Sequence, residues 1–98
     1  MARIVLAPQA LRDLERILQH LITHRVADAG ERVADIVSAL DVLVRNPMIG
    51  RPAEPPFREI VIGRGSRGYV AFYRYTAGDD LVHVAGLRGQ REAGFSNE

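Results

Sequence analysis

The chain lacks cysteine and lysine altogether, and each absence excludes or narrows a class of site. Without cysteine among its 98 residues, the protein has no disulfide framework and no thiolate nucleophile or ligand. All 13 basic residues are arginine, whose planar five-donor guanidinium suits carboxylate and phosphate and tolerates burial at interfaces better than lysine does. A GC-rich coding bias explains the same arginine usage and is compatible with such a role.

Long apolar runs are missing as well. No stretch approaches the roughly 18–20 residues needed to span a bilayer, and the apolar part of residues 1–8 is too short for a signal peptide. The chain is therefore expected to be cytoplasmic, with no membrane partner.

The size and net charge of the chain limit what it can hold. With 98 residues, it is expected to form one domain spanning residues 1–98, with no second lobe that would enclose a large cofactor. No cofactor is expected. The net charge is only +1, which argues against a general nucleic-acid binder that works by neutralising phosphates.

Hydrophobic periodicity predicts a strand followed by two helices. Residues 3–6 form a short β-rich run that ends at Pro8, a residue well suited to the first position of a helix. Two apolar stripes with helical spacing follow. The first consists of Leu11, Leu14, Leu18, Leu21 and Ile22, and the second of Val26, Val33, Ile36, Val37, Leu40, Leu43 and Val44. The link at residues 25–30 is short, so the two helices should form an antiparallel hairpin.

The period changes to two in the second half of the chain. Asn46-Pro47 should end the second helix, and the proline-rich crossing after it is predicted to be irregular. Strands are predicted over residues 57–62, 69–75 and 81–87, with turns at 63–68 and 77–80. Alternation places Val70 and Phe72 on one face of the middle strand, and Ala71, Tyr73 and Tyr75 on the other.

These elements predict an α+β fold. Its order is an N-terminal strand, an antiparallel helical hairpin and a three-stranded antiparallel meander, with the helices packed on one face of a twisted sheet. The other face is left bare or partly aromatic. Function is expected to reside on that face.

Several motifs point to enzymatic sites but lack the context that the chemistry needs. Gly63 to Gly68 matches G-x-G-x-x-G, yet it leads into a strand instead of a helix, so a hairpin turn is favoured over a nucleotide site. His20 and His24 have zinc-ligand spacing, but no third ligand is in register, and no metal is expected. No serine has a histidine–carboxylate context. His83 is the one general-base candidate on the predicted sheet.

A set of arginines interleaved with aromatic residues is the strongest candidate site. Its arginines are Arg58, Arg74, Arg88 and Arg91, and its aromatic residues are Tyr69, Tyr73, Tyr75 and Phe95. Arginines beside aromatic rings can hold phosphates and stack bases on an RNA-binding or RNA-cleaving face. They can equally anchor a protein partner, and the near-neutral charge favours protein. Solvated sheet residues with aromatic core backing remain an alternative.

Short patterns along nearly the whole chain resemble the ParE/RelE superfamily of bacterial type II toxins. They are Ala10-x-x-Asp13-Leu14-x-x-Ile17, Leu43-x-x-x-Pro47-x-x-Gly50-Arg51-Pro52, Arg58-Glu59, Tyr69-Val70-Ala71-Phe72-Tyr73-Arg74 and Arg88-Gly89-Gln90-Arg91-Glu92-Ala93-Gly94-Phe95. In this superfamily, RelE-like members cut mRNA on the ribosome with basic residues on the sheet and a C-terminal tyrosine. ParE-like members poison DNA gyrase and have no known catalytic residues.

The departures from the pattern favour the ParE-like branch. Arg88 and Arg91 match arginines of the family's tail, but Gly89 stands where related chains often have histidine. Phe95 has no hydroxyl with which to transfer a proton. The resemblance therefore implies a toxin that binds DNA gyrase, has no catalytic residues and does not bind nucleic acid directly. It also implies a cognate antitoxin, with Arg74, Arg88, Arg91 and Phe95 as the partner-binding residues.

Two alternatives stay open. In a RelE-type, ribosome-dependent mRNA endonuclease, Arg58, Arg74, Arg88 and Arg91 would hold phosphates and the transition state. In an interaction module, the same fold would bind a partner without toxicity.

Overall fold

A computed structural model describes residues 1–63 and 68–90 of the chain. Its helices, in chain order, are α1 (Pro8–Thr23), α2 (Ala29–Ala39) and α3 (Val42–Arg45). Its strands are β1 (Arg3–Leu6), β2 (Arg51–Pro52), β3 (Arg58–Ile62), β4 (Tyr69–Thr76) and β5 (Leu81–Gly89), and a 3₁₀ turn at Ala77–Asp79 joins the last two. Within these ranges no helix is long and apolar enough to cross a bilayer.

The strands form one sheet in the order β1-β5-β4-β3-β2. β1 runs parallel to β5, and the other neighbours are antiparallel. The N-terminal strand thus lies beside the last strand, because the helical segment carries the chain back across the sheet before the meander begins. The predicted α+β fold is confirmed.

The crossing before β3 contains a strand that the sequence pattern did not predict. Arg51 and Pro52 pair with Glu59 and Arg58, and the Arg51 guanidinium lies 2.6 Å from the Glu59 carboxylate. A two-residue strand next to several prolines has no periodicity of its own. It forms because the edge of β3 supplies hydrogen-bond partners.

The buried face of α1 differs from the predicted stripe. Its buried residues are Ala10, Asp13, Leu14, Ile17 and Leu21, whereas Leu11 and Ile22 are each 52% exposed. The helix is rotated so that the small Ala10, fully buried, faces inward where Leu11 was expected. Leu14 and Leu21 are the two members of the predicted stripe that are fully confirmed as buried.

The second predicted helix is divided in two. Around residues 39–41 the hydrogen bonds tighten to three-residue spacing, from Leu40 N to Val37 O and from Asp41 N to Ser38 O, as in a 3₁₀ turn. Leu40 and Leu43, on either side of the break, are both buried. The carbonyl of Val44 then accepts a hydrogen bond from Ala2 N at 3.0 Å, which fixes α3 beside β1.

The two faces of β4 are as the alternation predicted. Ala71 and Tyr73 are buried in the core beneath the helices, and Tyr75 packs against it. In β5 the alternation shifts, because Phe72 pairs with Gly86 while Tyr73 pairs with Val84. Ala85 is therefore the extra residue of a β-bulge. The bulge keeps Val84 and Leu87 on the core face even though they are three residues apart.

The β4–β5 turn is closed by a hydrogen bond between side chains. The Tyr75 hydroxyl donates to Asp80 Oδ1 at 2.7 Å, and the N-terminal ammonium lies 3.5 Å from Asp80 Oδ2. The tyrosine hydrogen bond, helped by the ammonium charge, lowers the pKa of Asp80 below its ordinary value of 3.8. The same bond raises the pKa of Tyr75 above 10.0.

Removing the Tyr75 hydroxyl should therefore change the acid titration of this turn. A folded-state pKa below the unfolded value gives a stabilisation that is present above pH 3.8 and is lost as the pH falls through the folded pKa. We expect Tyr75→Phe to move the pKa of Asp80 back towards 3.8, as measured by NMR titration of its carboxyl carbon. Tyr69→Phe is the matched control. An Asp80 titration unchanged by Tyr75→Phe would contradict this hydrogen bond.

Candidate functional site

The face of the sheet opposite the helices, which we call the open face, is the candidate site. Strand register assigns the side chains on it. They include Arg3, Val5, Arg51, Glu59, Val61, Val70, Phe72, Arg74, His83, Gly86 and Arg88. Among the residues that the structure describes, these comprise four arginines and one acid, Glu59, which is paired with Arg51. Four arginines and one acid give the described part of this face an excess of positive charge, whereas the chain as a whole has a net charge of +1.

Arg88 lies against an aromatic ring at the centre of the open face. Its guanidinium carbon is 5.9 Å from the centroid of the Phe72 ring, within the range of a cation–π contact. The side chain is exposed, and none of residues 1–63 or 68–90 gives it a carboxylate partner. This weak contact leaves the N–H donors of the guanidinium available to an external acceptor.

Arg74 lies further along the same face. It pairs in register with His83 on β5, is exposed, and has no ion pair within the described part of the chain. Val70, the register partner of Arg88, is four residues from Arg74, which separates the two arginines by about 13 Å along the strand. The open face therefore presents two separate cationic groups.

Arg58 does not belong to this site. It pairs with Tyr73, so its side chain lies on the face that carries the helices. Its Nη1 donates to the carbonyl oxygens of Gly50 at 2.7 Å and Met48 at 3.3 Å. The grouping of Arg58 with Arg74 and Arg88 that the sequence suggested is therefore not formed, because register places them on opposite sides of the sheet.

Of the other residues predicted for the site or its turn, some lie on the sheet and some lie outside the described part of the chain. Arg91 and Phe95, like the tip of the predicted turn at residues 64–67, lie outside the residues that the structure describes. Gly89 ends β5 and pairs with Tyr69. The partner-binding roles of Arg74, Arg88, Arg91 and Phe95 stay predictions.

A groove adjoins Arg88. It has a volume of about 350 Å³, and its lining comes from the start of α1, the segment before β3, and the strands β4 and β5. The lining residues are Gln9, Asp13, Ala53, Glu54, Phe57, Phe72, Ala85, Gly86 and Arg88. Alanines, a glycine and two phenylalanine rings make much of its lining apolar, while the exposed Arg88 and Glu54 and the buried Asp13 supply charge. Such a groove fits an apolar side chain with polar neighbours.

Asp13 is the functional candidate that sequence reasoning missed. The residue is 9% exposed, and its carboxylate accepts hydrogen bonds from Leu87 N and Gln9 Nε2, both at 2.9 Å. The signal in the sequence was an acid inside the motif Ala10-x-x-Asp13-Leu14, on the side of the helix that turns out to be buried. Its partner Leu87 is 74 residues away, which no local pattern reveals.

The two histidines with zinc-ligand spacing, His20 and His24, contact each other. The rings of His20 and His24 have centroids 4.2 Å apart, and His24 Nδ1 lies 2.9 Å from the carbonyl oxygen of His20. Over the described ranges, no three residues of the types His, Cys, Asp and Glu are grouped so as to hold a metal ion.

Comparison with known proteins gives consistent matches. The family model described as the ParE toxin of the type II toxin–antitoxin system parDE matches residues 4–94. A protein of Caulobacter vibrioides named Toxin RelE3 is 31% identical over 93 residues, which cover 94% of this chain and 98% of that protein.

Two solved structures have the same fold. The chromosomal ParDE toxin–antitoxin system from P. aeruginosa aligns with a TM-score of 0.74 and 24% identity, over 91% of this chain and 96% of that one. The toxin–antitoxin complex RelBE2 of Mycobacterium tuberculosis aligns with a TM-score of 0.61 and 20% identity, over 91% and 98%.

Proposed function

Because this chain belongs to the ParE toxin family of type II toxin–antitoxin systems, we propose that it arrests growth by binding DNA gyrase and that a cognate antitoxin neutralises it. The observation that carries the proposal is the open face, where Arg74 and Arg88 are both exposed and Arg88 lies beside an apolar groove. Exposed arginines around an aromatic and apolar centre are typical of protein-binding hot spots.

The antitoxin is proposed to occupy this same face. Carboxylates of the antitoxin would accept hydrogen bonds from Arg88 and Arg74, bidentate where the geometry allows. An apolar side chain would enter the groove beside Phe72. The P. aeruginosa and M. tuberculosis neighbours are a ParDE system and a toxin–antitoxin complex, which supports an antitoxin partner for this chain.

Action by binding is favoured over cleavage. General acid–base catalysis needs groups that reach the same reacting atoms. Arg58 lies on the other face of the sheet. The hydroxyl of the buried Tyr73 already accepts a hydrogen bond from Gly50 N at 2.8 Å. Arg58 and Tyr73 therefore both lie on the helix side of the sheet, away from the arginines of the open face.

One observation favours the alternative of a ribosome-dependent mRNA endonuclease. His83 and Arg74 are directly opposed on neighbouring strands of the open face, where β-carbons lie about 4.5–5.5 Å apart. An imidazole beside a guanidinium can take up a proton while the cation holds a phosphate.

Induced expression in a bacterial host separates these functions. The strain carries a DNA-damage reporter, and protein synthesis is followed by a pulse label. Gyrase binding predicts growth arrest with damage signalling while early translation continues, together with inhibition of supercoiling by the purified protein. Early collapse of translation without damage signalling would favour the endonuclease. Normal growth would favour a non-toxic interaction module.

The antitoxin is tested in the same strain. The products of the genes flanking this one are co-expressed one at a time. We expect one of them to restore growth and to co-purify with the toxin.

A further inference from the structure

The strand β5 extends beyond the strand beside it. β1 pairs with residues 81–84 and ends at Leu6, whereas β5 continues to Gly89. Over residues 85–88, no other strand of the described ranges 1–63 and 68–90 continues along the side of β5 that β1 occupied. Backbone N–H and C=O groups on such an edge need other partners when water is excluded.

Side chains of α1 supply those partners. Asp13 Oδ2 accepts a hydrogen bond from Leu87 N at 2.9 Å, and Arg16 Nη2 donates to Leu87 O at 3.3 Å. The two side chains also lie near each other, with Arg16 Nη2 4.0 Å from Asp13 Oδ1. Gln9 Nε2 donates to that same Oδ1 at 2.9 Å. Leu87 thus has its N–H and its C=O both engaged by one turn of α1.

We infer that Asp13 and Arg16 form a clamp that replaces the missing strand and positions Arg88 on the open face. Fixing both backbone groups of Leu87 fixes the direction in which the next residue projects. Arg88 can then rest on Phe72 beside the groove. The inference rests on the proposed function in one respect, since it takes Arg88 to be a partner-binding residue.

The identity of residue 86 agrees with a clamp. A Cβ at Gly86 would lie 3.0 Å from Asp13 Oδ2, tighter than an ordinary contact. Glycine therefore lets the carboxylate approach the β5 backbone. A buried carboxylate also has a desolvation cost unless it is hydrogen-bonded. If residue 13 only packed α1 against the sheet, an apolar side chain would be sufficient. The acid at this position is explained by the hydrogen bond of Asp13 to the edge of β5.

The first test measures the clamp directly. We expect Asp13→Ala to speed amide hydrogen exchange at Leu87 by about tenfold or more, because a charge-assisted hydrogen bond is lost. Exchange at Val82 and Val84, where β1 pairs with β5, should stay unchanged. Asp13→Asn keeps an oxygen acceptor and should retain most of the protection. Glu15→Ala, an exposed acid on the same helix, is the matched control. Unchanged exchange at Leu87 in folded Asp13→Ala protein would overturn the clamp.

The second test measures positioning. The readout is the inducer concentration that half-arrests growth at matched protein level, which does not depend on the identity of the target. Arg88→Ala should raise that concentration in the parent protein by about 30-fold, the loss for a hot-spot arginine. In the Asp13→Ala background the same substitution should raise it by less than about twofold. If Arg88→Ala raised the half-arresting inducer concentration by the same factor in both backgrounds, Asp13 would not position Arg88.

The two proposals fail differently. If Arg88→Ala had no effect in the parent protein, the partner-binding role of Arg88 would be wrong, and the positioning role with it. Faster exchange at Leu87 in Asp13→Ala would still establish the clamp itself.

Discussion

Replacing Gly50 with alanine is expected to lower the free energy of unfolding by about 3 kcal/mol, at the upper end of overpacking costs in a filled core. A Cβ at this position would lie 2.6 Å from the Tyr73 hydroxyl, 2.7 Å from Tyr73 Cε1 and 2.8 Å from the carbonyl oxygen of Glu59. Tyr73 is fully buried and its hydroxyl accepts a hydrogen bond from Gly50 N. The added methyl group would therefore displace a large core side chain and disturb its hydrogen bond.

The matched control is the same substitution at Gly30 in α2. No atom lies within 4 Å of a Cβ built there, and alanine is about 0.5–1 kcal/mol more favourable than glycine in a helix. In thermal unfolding, Gly50→Ala should lower Tm by about 12–24 °C, the shift that about 3 kcal/mol produces in a domain of this size. Gly30→Ala should raise Tm slightly. Similar Tm values for the two variants would contradict the close packing at Gly50.

Local patterns predicted the sheet well where each strand has its own alternation. Ala71 and Tyr73 were correctly placed on the face opposite Val70 and Phe72, because period two holds throughout β4. Alternation fails to assign the faces of β5, because Ala85 forms a bulge opposite Phe72 and Tyr73. A bulge depends on the register of two strands, which the sequence of one strand does not contain.

In α1, the polarity of the side chains alone predicted some wrong residues on the buried side of the helix. Leu11 was assigned to the apolar stripe by its spacing, and Asp13 was not assigned to the buried side. In the fold, Asp13 is buried because Leu87 N–H needs an acceptor where β1 has ended. Leu11 is then rotated towards solvent. The deciding contact is between residues far apart in sequence.

The candidate site was predictable in residue type but only partly in geometry. The alternation of arginine and aromatic residues indicated Arg74 and Arg88, and register places both on the open face. Arg58 fits the same pattern, yet pairing with Tyr73 turns it to the other side. The groove could not be predicted, since its lining comes from α1, the segment before β3 and two strands.

Charge reversal at Arg88 should have the largest effect on function. Arg88→Glu removes the cation that lies on Phe72 and sets a carboxylate against acidic groups of the partner. Losing one member of a desolvated charge pair costs about 2–5 kcal/mol in binding, which corresponds to roughly a 30- to 5,000-fold loss of affinity. Under the proposed function, inhibition of gyrase supercoiling by the purified protein should fall accordingly, and growth arrest with it.

The control for this substitution is Arg45→Glu, which makes the same change in net charge at an exposed position on α3, away from the open face. The Arg45→Glu protein should inhibit supercoiling about as strongly as the parent protein does. Arg74→Glu should also weaken inhibition. Because Arg74 lies about 13 Å from Arg88 along the sheet, the two losses should add in free energy, as those of separated sites do. Equal loss of inhibition in Arg88→Glu and Arg45→Glu would mean that net charge, and not the open face, governs binding to the proposed target.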